Sequence, residues 1–172
     1  MRKAKGIRVI EGRVEGRGWR IAIVASRFND LIGRRLVDGA LEALARCGVR
    51  PRDITCAWVP GAWELPVVAG RFAKTGRFDG ILALGTVIRG ETTHHEHIGR
   101  ETASALRAVT QETHVPVAFG VLTTENLEQA LARCGASRNN KGCEAALHLL
   151  ETLSVLGQIK CTSNAKPRRT AK

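Results

Sequence analysis

Four short apolar segments alternate with longer helical patterns, and this alternation constrains the fold more than any other feature of the chain. The apolar segments cover residues 20–25, 54–59, 80–84 and 117–122. Apolar runs of this length, bounded by turn residues, indicate strands that are buried on both faces. Helical patterns follow them at 30–47, 65–75, 93–113 and 126–134, with a last one at 143–156. The sequence therefore predicts an α/β fold with a four-stranded parallel sheet and helices on both faces.

The connection between the third strand and its helix is rich in glycine and hydroxyl residues. It reads Gly85-Thr86-Val87-Ile88-Arg89-Gly90-Glu91-Thr92-Thr93-His94. At a helix N-terminus, free amides and the helix dipole favour an anion, and glycine lets the backbone approach it closely. His94 lies in the first helical turn and is therefore a candidate for proton transfer on a phosphorylated substrate. A turn that only joins strand to helix is the alternative, and Glu91 stands where a nucleotide-binding P-loop needs lysine.

Aromatic and acidic residues follow the other strands. The carboxyl ends of parallel strands meet at one edge of a sheet, where ligands bind. Phe28 follows the first strand, Trp63 and Glu64 follow the second, and Phe119 belongs to the fourth strand, before its turn. Phe28 and Trp63 either pack in the core or stack on a flat ligand ring. Glu64 either complements the helix dipole or accepts hydrogen bonds from ligand hydroxyls.

Other polar residues give weaker signals. Arg133 and Lys141 flank a connector at 135–142 and are by default solvated surface charges. His94 and His97 share a helical face, but a catalytic zinc usually has three protein ligands and no third ligand is evident. The sequence therefore predicts no metal site.

The size and the cysteine pattern indicate one intracellular domain. The chain has 172 residues, which is enough for a substantial core. It has no apolar run of about 18 residues that could cross a membrane, and no apolar segment of a signal peptide follows its basic start. Its five cysteines form no C-x2-C pair, as expected for free thiols in a reducing compartment. We therefore expect a cytoplasmic protein without a membrane partner.

The net charge of +11 is concentrated at the two ends of the chain. Residues 1–20 and 157–172 each carry a net charge of +5, whereas residues 21–156 carry only +1. This distribution predicts a basic N-terminal arm at 1–19, a folded domain at 20–156 and a disordered basic tail at 157–172. Basic ends of this kind are expected to bind polyanions without specificity. A nucleic-acid-binding module would instead carry its charge on the folded body.

Five motifs, in order along residues 20–156, resemble those of the lumazine synthase family. They are Ser26-Arg27-Phe28-Asn29, Trp58-Val59-Pro60-Gly61-Ala62-Trp63-Glu64-Leu65-Pro66, the segment from Leu84 to His94, Phe119-Gly120-Val121-Leu122-Thr123-Thr124-Glu125-Asn126 and Asn140-Lys141-Gly142. The resemblance implies a flavodoxin-like three-layer sandwich. It also implies condensation of 5-amino-6-(D-ribitylamino)uracil with 3,4-dihydroxy-2-butanone 4-phosphate to 6,7-dimethyl-8-ribityllumazine, the penultimate step of riboflavin biosynthesis, without metal or cofactor.

The same resemblance implies a role for each site residue. Phe28 is expected to stack on the pyrimidine, while Ala62, Trp63 and Glu64 border the ribityl chain. The uracil edge is expected to contact Thr86, Val87, Ile88 and Lys141. The phosphate is expected to bind at Glu91, Thr92 and Arg133, with His94 moving protons. Phe119 is expected to reach the site of a neighbouring subunit, which implies a homopentamer that can assemble further into an icosahedral shell.

Some residues depart from the family pattern. Trp63 stands where phenylalanine is more usual, Glu91 where a small residue is common, and His95 and His97 where aromatics are common. The connector at 135–142 lacks the usual second glycine, which leaves the choice between pentamer and shell open. A non-catalytic flavin or lumazine binder on the same fold is the alternative function, although such a binder would not need His94 beside a phosphate site.

Overall fold

The computed structural model describes residues 7–136 and 139–160. Its strands form one parallel sheet in the order β2-β1-β3-β4, with bounds β1 Ile21–Ser26, β2 Ile54–Val59, β3 Gly80–Ile88 and β4 Val117–Thr124. The α-helices are α1 Asp30–Arg46, α2 Leu65–Lys74, α3 His94–Thr113, α4 Leu127–Ala132 and α5 Lys141–Lys160. Short 3-10 helices at Pro51–Asp53 and Ala62–Glu64 precede β2 and α2. The predicted α/β class with four parallel strands is confirmed.

Two apolar layers hold helices against the two faces of the sheet. On one face, Ile21 and Ile23 of β1 pack in a cluster that includes residues of α1 and α5. On the other face, Ala22 and Val24 pack in a cluster with residues of α2 and α3. β1 is fully buried along its length because both faces of this central strand are covered. The result is the three-layer sandwich that the resemblance implied.

Several element boundaries differ from those predicted. β3 continues to Ile88 and β4 to Thr124, beyond the predicted ends at residues 84 and 122. The reason is pairing, since the β3–β4 ladder extends to the pair Ile88 and Thr124 and holds both segments extended despite their turn-forming residues. The last helix is also longer than predicted, running from Lys141 to Lys160 rather than over 143–156. Lys141, Ile88 and Thr86 therefore lie within regular elements.

The described part of the N-terminal arm lies along α5 without forming a strand. The amide of Arg13 donates to Ser154 Oγ at 3.0 Å, and Gln158 Nε2 donates to the carbonyl of Glu11 at 2.8 Å. The predicted tail at 157–172 begins inside α5, and its remainder at 161–172 lies outside the described residues. Within the described ranges, no helix has the length and apolar character needed to cross a membrane.

Candidate active site

A cavity of about 340 Å³ opens at the carboxyl edge of the sheet, on the face covered by α2 and α3. Its walls come from the turn after β1, the 3-10 helix after β2, the end of β3 and the first turn of α3. The lining residues are Phe28, Gly61, Ala62, Trp63, Thr86, Val87, Ile88, Gly90, Thr92, His94, His95 and Ile98. Eight of the residues predicted for the site are among them, so these separate turns converge as the parallel sheet requires.

The end of β3 presents an unpaired backbone edge to this cavity. The ladder with β1 ends at the pair Ala25 and Leu84, whereas the ladder with β4 continues to Ile88. β1 cannot follow further because its chain turns away, with the amide of Phe28 donating to the carbonyl of Pro60 at 2.9 Å. The backbone groups of residues 86–88 that face β1 are therefore free to bind a planar heterocycle through N–H and C=O groups.

Buried polar side chains collect at the same edge. Ser26 Oγ, Asn29 Nδ2 and Thr86 Oγ1 are buried, and each lacks a hydrogen-bond partner among the described residues. A buried polar group without a partner costs about 1–3 kcal/mol, so these atoms are candidates for ligand contact. Ser26 and Asn29 were not singled out as site residues from the sequence. The signal that could have found them is that two polar residues, Ser26 at the end of β1 and Asn29 in the turn before α1, follow a wholly apolar stretch.

The two aromatic residues at this edge lie on the surface rather than in the core. Phe28 is 69% exposed and Trp63 is 58% exposed, and both line the cavity. Of the two interpretations left open by the sequence, core packing is therefore wrong for both rings. Exposed rings that border a cavity can stack on a flat ligand.

The 3-10 helix at Ala62–Glu64 sets the backbone on the opposite wall. Ala62 is buried, and its carbonyl accepts a hydrogen bond from Thr102 Oγ1 of α3 at 3.3 Å. Glu64 Oε2 accepts a hydrogen bond from the amide of Gly61 at 2.9 Å and so closes the turn. Glu64 does not line the cavity. Its carboxylate holds the glycine turn in place.

The N-terminus of α3 supplies free amides. Thr93 is the N-cap residue, but its side chain makes no capping bond, while Thr92 Oγ1 accepts from the amide of His94 at 3.4 Å. The amides of Glu91 and Thr92 donate no hydrogen bond within the described residues. Gly90 has open space where a side chain would begin. The free amides of Glu91 and Thr92, just before α3, are donors of the kind that anion sites at helix N-termini use, and His94 lies beside them.

Besides Glu64, four predicted site residues do not line this cavity. Arg133 and Lys141 are near the start of α5, where Lys141 Nζ lies 2.6 Å from Glu144 Oε1 and Arg133 Nη2 lies 3.9 Å from Glu144 Oε2. The hydrogen bond from Lys141 is the main reason why the pKa of Glu144 is lowered. Phe119 is 40% exposed and lines a different groove, between α3 and β4, with Leu106. Glu91 is exposed and is likewise absent from the cavity wall.

Within the described residues, no group of three or more His, Cys, Asp and Glu side chains is arranged to hold a metal ion. His94 and His95 line the cavity, but His97 is exposed and does not. The polar groups that line the cavity are imidazole, indole, hydroxyl and backbone groups.

Parallel three-layer α/β sandwiches with a cavity at the carboxyl edge of the sheet form a class of small-molecule-binding proteins. This chain has that arrangement, with a helix N-terminus on the cavity wall. Comparison with known proteins identifies the family within this class. The family model of 6,7-dimethyl-8-ribityllumazine synthase matches residues 18–157. Proteins of that name from Yersinia pestis (strain Pestoides F) and Yersinia pseudotuberculosis (serotype O:3, strain YPIII) are 52% identical over 153 residues, covering 88% of this chain and 98% of theirs.

The chain therefore belongs to the lumazine synthase family. The family is oligomeric and acts on small molecules.

Proposed function

We propose that this chain condenses 5-amino-6-(D-ribitylamino)uracil with 3,4-dihydroxy-2-butanone 4-phosphate to 6,7-dimethyl-8-ribityllumazine, releasing phosphate and water. The chain is thus a transferase of riboflavin biosynthesis. The observation that carries this proposal is one cavity that combines exposed aromatic rings, an unpaired strand edge and a helix N-terminus beside His94. Family membership over residues 18–157 supports the same reaction.

The pyrimidine substrate binds between the β1 turn and the end of β3. Phe28 stacks on the ring, and the backbone of Thr86, Val87 and Ile88 bonds to the uracil edge. The unpaired β1-facing edge of residues 86–88 supports this role. The ribityl hydroxyls lie along Ala62 and Trp63, with Glu64 at the border of the site.

The butanone phosphate binds at the start of α3. The amides of Glu91 and Thr92 donate to the phosphate, and the carboxylate of Glu91 points away because the contact is made by its backbone. His94 is the group that accepts and returns protons at the reacting carbons. Its place in the first turn of α3, on the cavity wall, supports that role.

The site is completed by a second copy of the chain. Among the described residues, the cavity lining contains no lysine or arginine, although a phosphate dianion needs a counter-charge. Arg133, Lys141 and Phe119 lie on other surfaces of the same chain. A neighbouring copy therefore supplies Arg133 to the phosphate, Lys141 to the pyrimidine and Phe119 to the rim, and the active unit is a homopentamer.

Most of the rate enhancement follows from holding two reactants together. The amine of the pyrimidine attacks the ketone, water leaves, the carbon–oxygen bond to phosphate breaks, and the second nitrogen closes the ring with loss of water. Fixing both substrates in one cavity contributes up to about 7–11 kcal/mol. A proton shuttle at His94 contributes about 10²–10⁴-fold. No step needs an oxidant or a reductant.

Incubation of the purified chain with both substrates tests the proposal. Lumazine fluorescence should appear, with release of one phosphate per lumazine and without added metal. Binding of lumazine without any turnover of the two substrates would instead identify a non-catalytic lumazine binder. Sedimentation of the active species should give the mass of a pentamer or of a multiple of it, and a fully active monomer would contradict the shared site.

A further inference from the structure

His95 lines the cavity beside His94 and makes a contact that links two parts of the anion site. Its Nδ1 lies 3.1 Å from the carbonyl oxygen of Thr92. Because a carbonyl can only accept, Nδ1 carries the hydrogen, and in a neutral ring Nε2 is then the acceptor. The bond ties the first turn of α3 to the segment that carries the free amides of Glu91 and Thr92.

The charged groups around His95 come from three elements. Arg89, after β3, donates to Glu125, after β4, with Nη1 and Oε2 separated by 2.8 Å. The pKa of Glu125 is lowered chiefly by this hydrogen bond, and attraction to His95 contributes to the same direction. On the His95 side, the exposed Glu91 precedes α3, and Glu96 follows in its first turn. The charge of Arg89 is thus engaged by Glu125 rather than offered to a ligand.

We propose that His95 is a positioning residue for the anion-binding segment at residues 90–93, and that its protonation strengthens binding of the substrate phosphate. The inference rests on the proposed function, because the anion is the phosphate of the butanone substrate.

Two physical effects are involved, and they are separable. The Nδ1–H bond to Thr92 is available in both protonation states and holds the amides in one arrangement. Protonation adds a positive charge at a cavity wall that has no lysine or arginine of its own among the described residues. Only a histidine at this position can gain that charge as the pH falls, so the second effect should be absent from variants that lack the imidazole.

Two substitutions separate these effects. His95→Phe keeps a ring but removes both the donor and the titratable charge. His95→Asn keeps an amide donor near the place of Nδ1 and cannot titrate. At pH 7, His95→Phe should raise the KM for the butanone phosphate about two- to tenfold, the loss expected for one hydrogen bond, with kcat changed by less than about twofold. His95→Asn should restore most of this loss.

The pH dependence of the KM for the butanone phosphate tests whether a charge on His95 strengthens phosphate binding. The phosphate group of the substrate and His94 are present in every variant, so the variants are compared at the same pH. The ratio of KM in His95→Asn to KM in the unmodified chain therefore isolates His95, and it should rise about two- to fivefold as the pH falls from 8 to 6. His97→Phe is the matched control, because His97 is exposed on the same helix and outside the cavity. Its KM and pH profile should equal those of the unmodified chain.

Calorimetric titration with inorganic phosphate tests the inference without turnover. Phosphate should bind more weakly to His95→Phe than to the control, even if the chain formed no lumazine. Failure of lumazine formation by the unmodified chain would count against the proposed function alone. Equal phosphate affinity in His95→Phe and His97→Phe, or a KM ratio for His95→Asn that does not change with pH, would overturn the role of His95. If His95→Phe did not fold, the His95→Asn ratio would decide.

Discussion

Asn140 joins the connector before α5 to α1, and its removal should destabilise the fold by a predictable amount. The side chain is buried. Its Nδ2 donates to the carbonyls of Arg35 at 2.8 Å and Gly135 at 3.2 Å, while its Oδ1 accepts from the amides of Gly142 at 2.9 Å and Cys143 at 3.1 Å. Gly39 makes room for this amide, because a Cβ there would collide with it.

The expected cost of Asn140→Ala is about 2–4 kcal/mol of the free energy of unfolding. The two bonds from Oδ1 act as an N-cap of α5, which is worth about 1 kcal/mol. The two bonds from Nδ2 satisfy carbonyls of α1 and of the connector, at about 0.5–1.5 kcal/mol each. Asn140→Asp keeps the acceptor but places a carboxylate against two carbonyl oxygens, so it should not restore the loss.

Urea denaturation followed by circular dichroism measures this difference. The protomer concentration must be equal in all samples, because assembly contributes to apparent stability. For a chain of this size, the loss corresponds to a fall in Tm of about 2–4 °C per kcal/mol. Asn139→Ala is the control, because Asn139 is adjacent and exposed. If Asn140→Ala changed the free energy of unfolding by no more than Asn139→Ala, the reasoning from these four bonds would be refuted.

Two further predictions concern the site and the tail. His94→Ala should lower kcat about tenfold to a thousandfold in the fluorescence assay while leaving substrate binding nearly intact, because proximity survives the loss of one proton shuttle; a large rise in KM with unchanged kcat would contradict this. Residues 161–172 carry four basic residues and no acidic one. Their removal should weaken binding to random DNA and make the remaining binding less dependent on salt, while lumazine formation stays unchanged. Loss of activity would show that the tail is part of the fold.

The fold could be predicted well because local signals and tertiary structure agree. The apolar segment at 54–59 became β2 with the predicted bounds, and the helical spacing after Asn29 became α1. The end of β3 could not be predicted, because Gly85 and Gly90 suggest a turn between them. Only the pairing of residues 85–88 with β4 keeps this stretch extended, and such pairing depends on residues more than thirty positions away.

The candidate site was predictable where a single strand end or helix start determines it. Phe28, Thr92 and His94 each follow directly from their place after a strand, and they converge in one cavity. The sequence could not show that Arg133 and Lys141 lie apart from that cavity, whereas the resemblance already assigned Phe119 to the site of a neighbour. Their positions depend on the packing of α5 against α1 and of α3 against β4, about which their local sequence carries no information.

Hybrid oligomers test whether the cavity residue His94 and the distant residue Arg133 act together across a subunit interface. Suppose that His94 belongs to the cavity of one copy and Arg133 to its neighbour in a closed ring, as a repeated head-to-tail interface requires. Chains with His94→Ala and chains with Arg133→Ala, each less active alone than the unmodified chain, should then form intact sites when assembled together. A site is intact when its cavity comes from an Arg133→Ala chain and its arginine from a His94→Ala chain, which holds for about one quarter of sites after random equal mixing.

The experiment is co-refolding of the two variants at equal amounts, followed by the fluorescence assay. Activity should recover to about one quarter of that of the unmodified chain, and simple mixing of the two assembled variants should recover none until subunits exchange. A double variant that carries both substitutions, co-refolded with the unmodified chain, is the control. Here a site is intact only when both neighbouring chains are unmodified, which again holds for about one quarter of the sites. If co-refolded single variants gave only the average of their separate activities, His94 and Arg133 would have to act within one chain, and the shared site would be wrong.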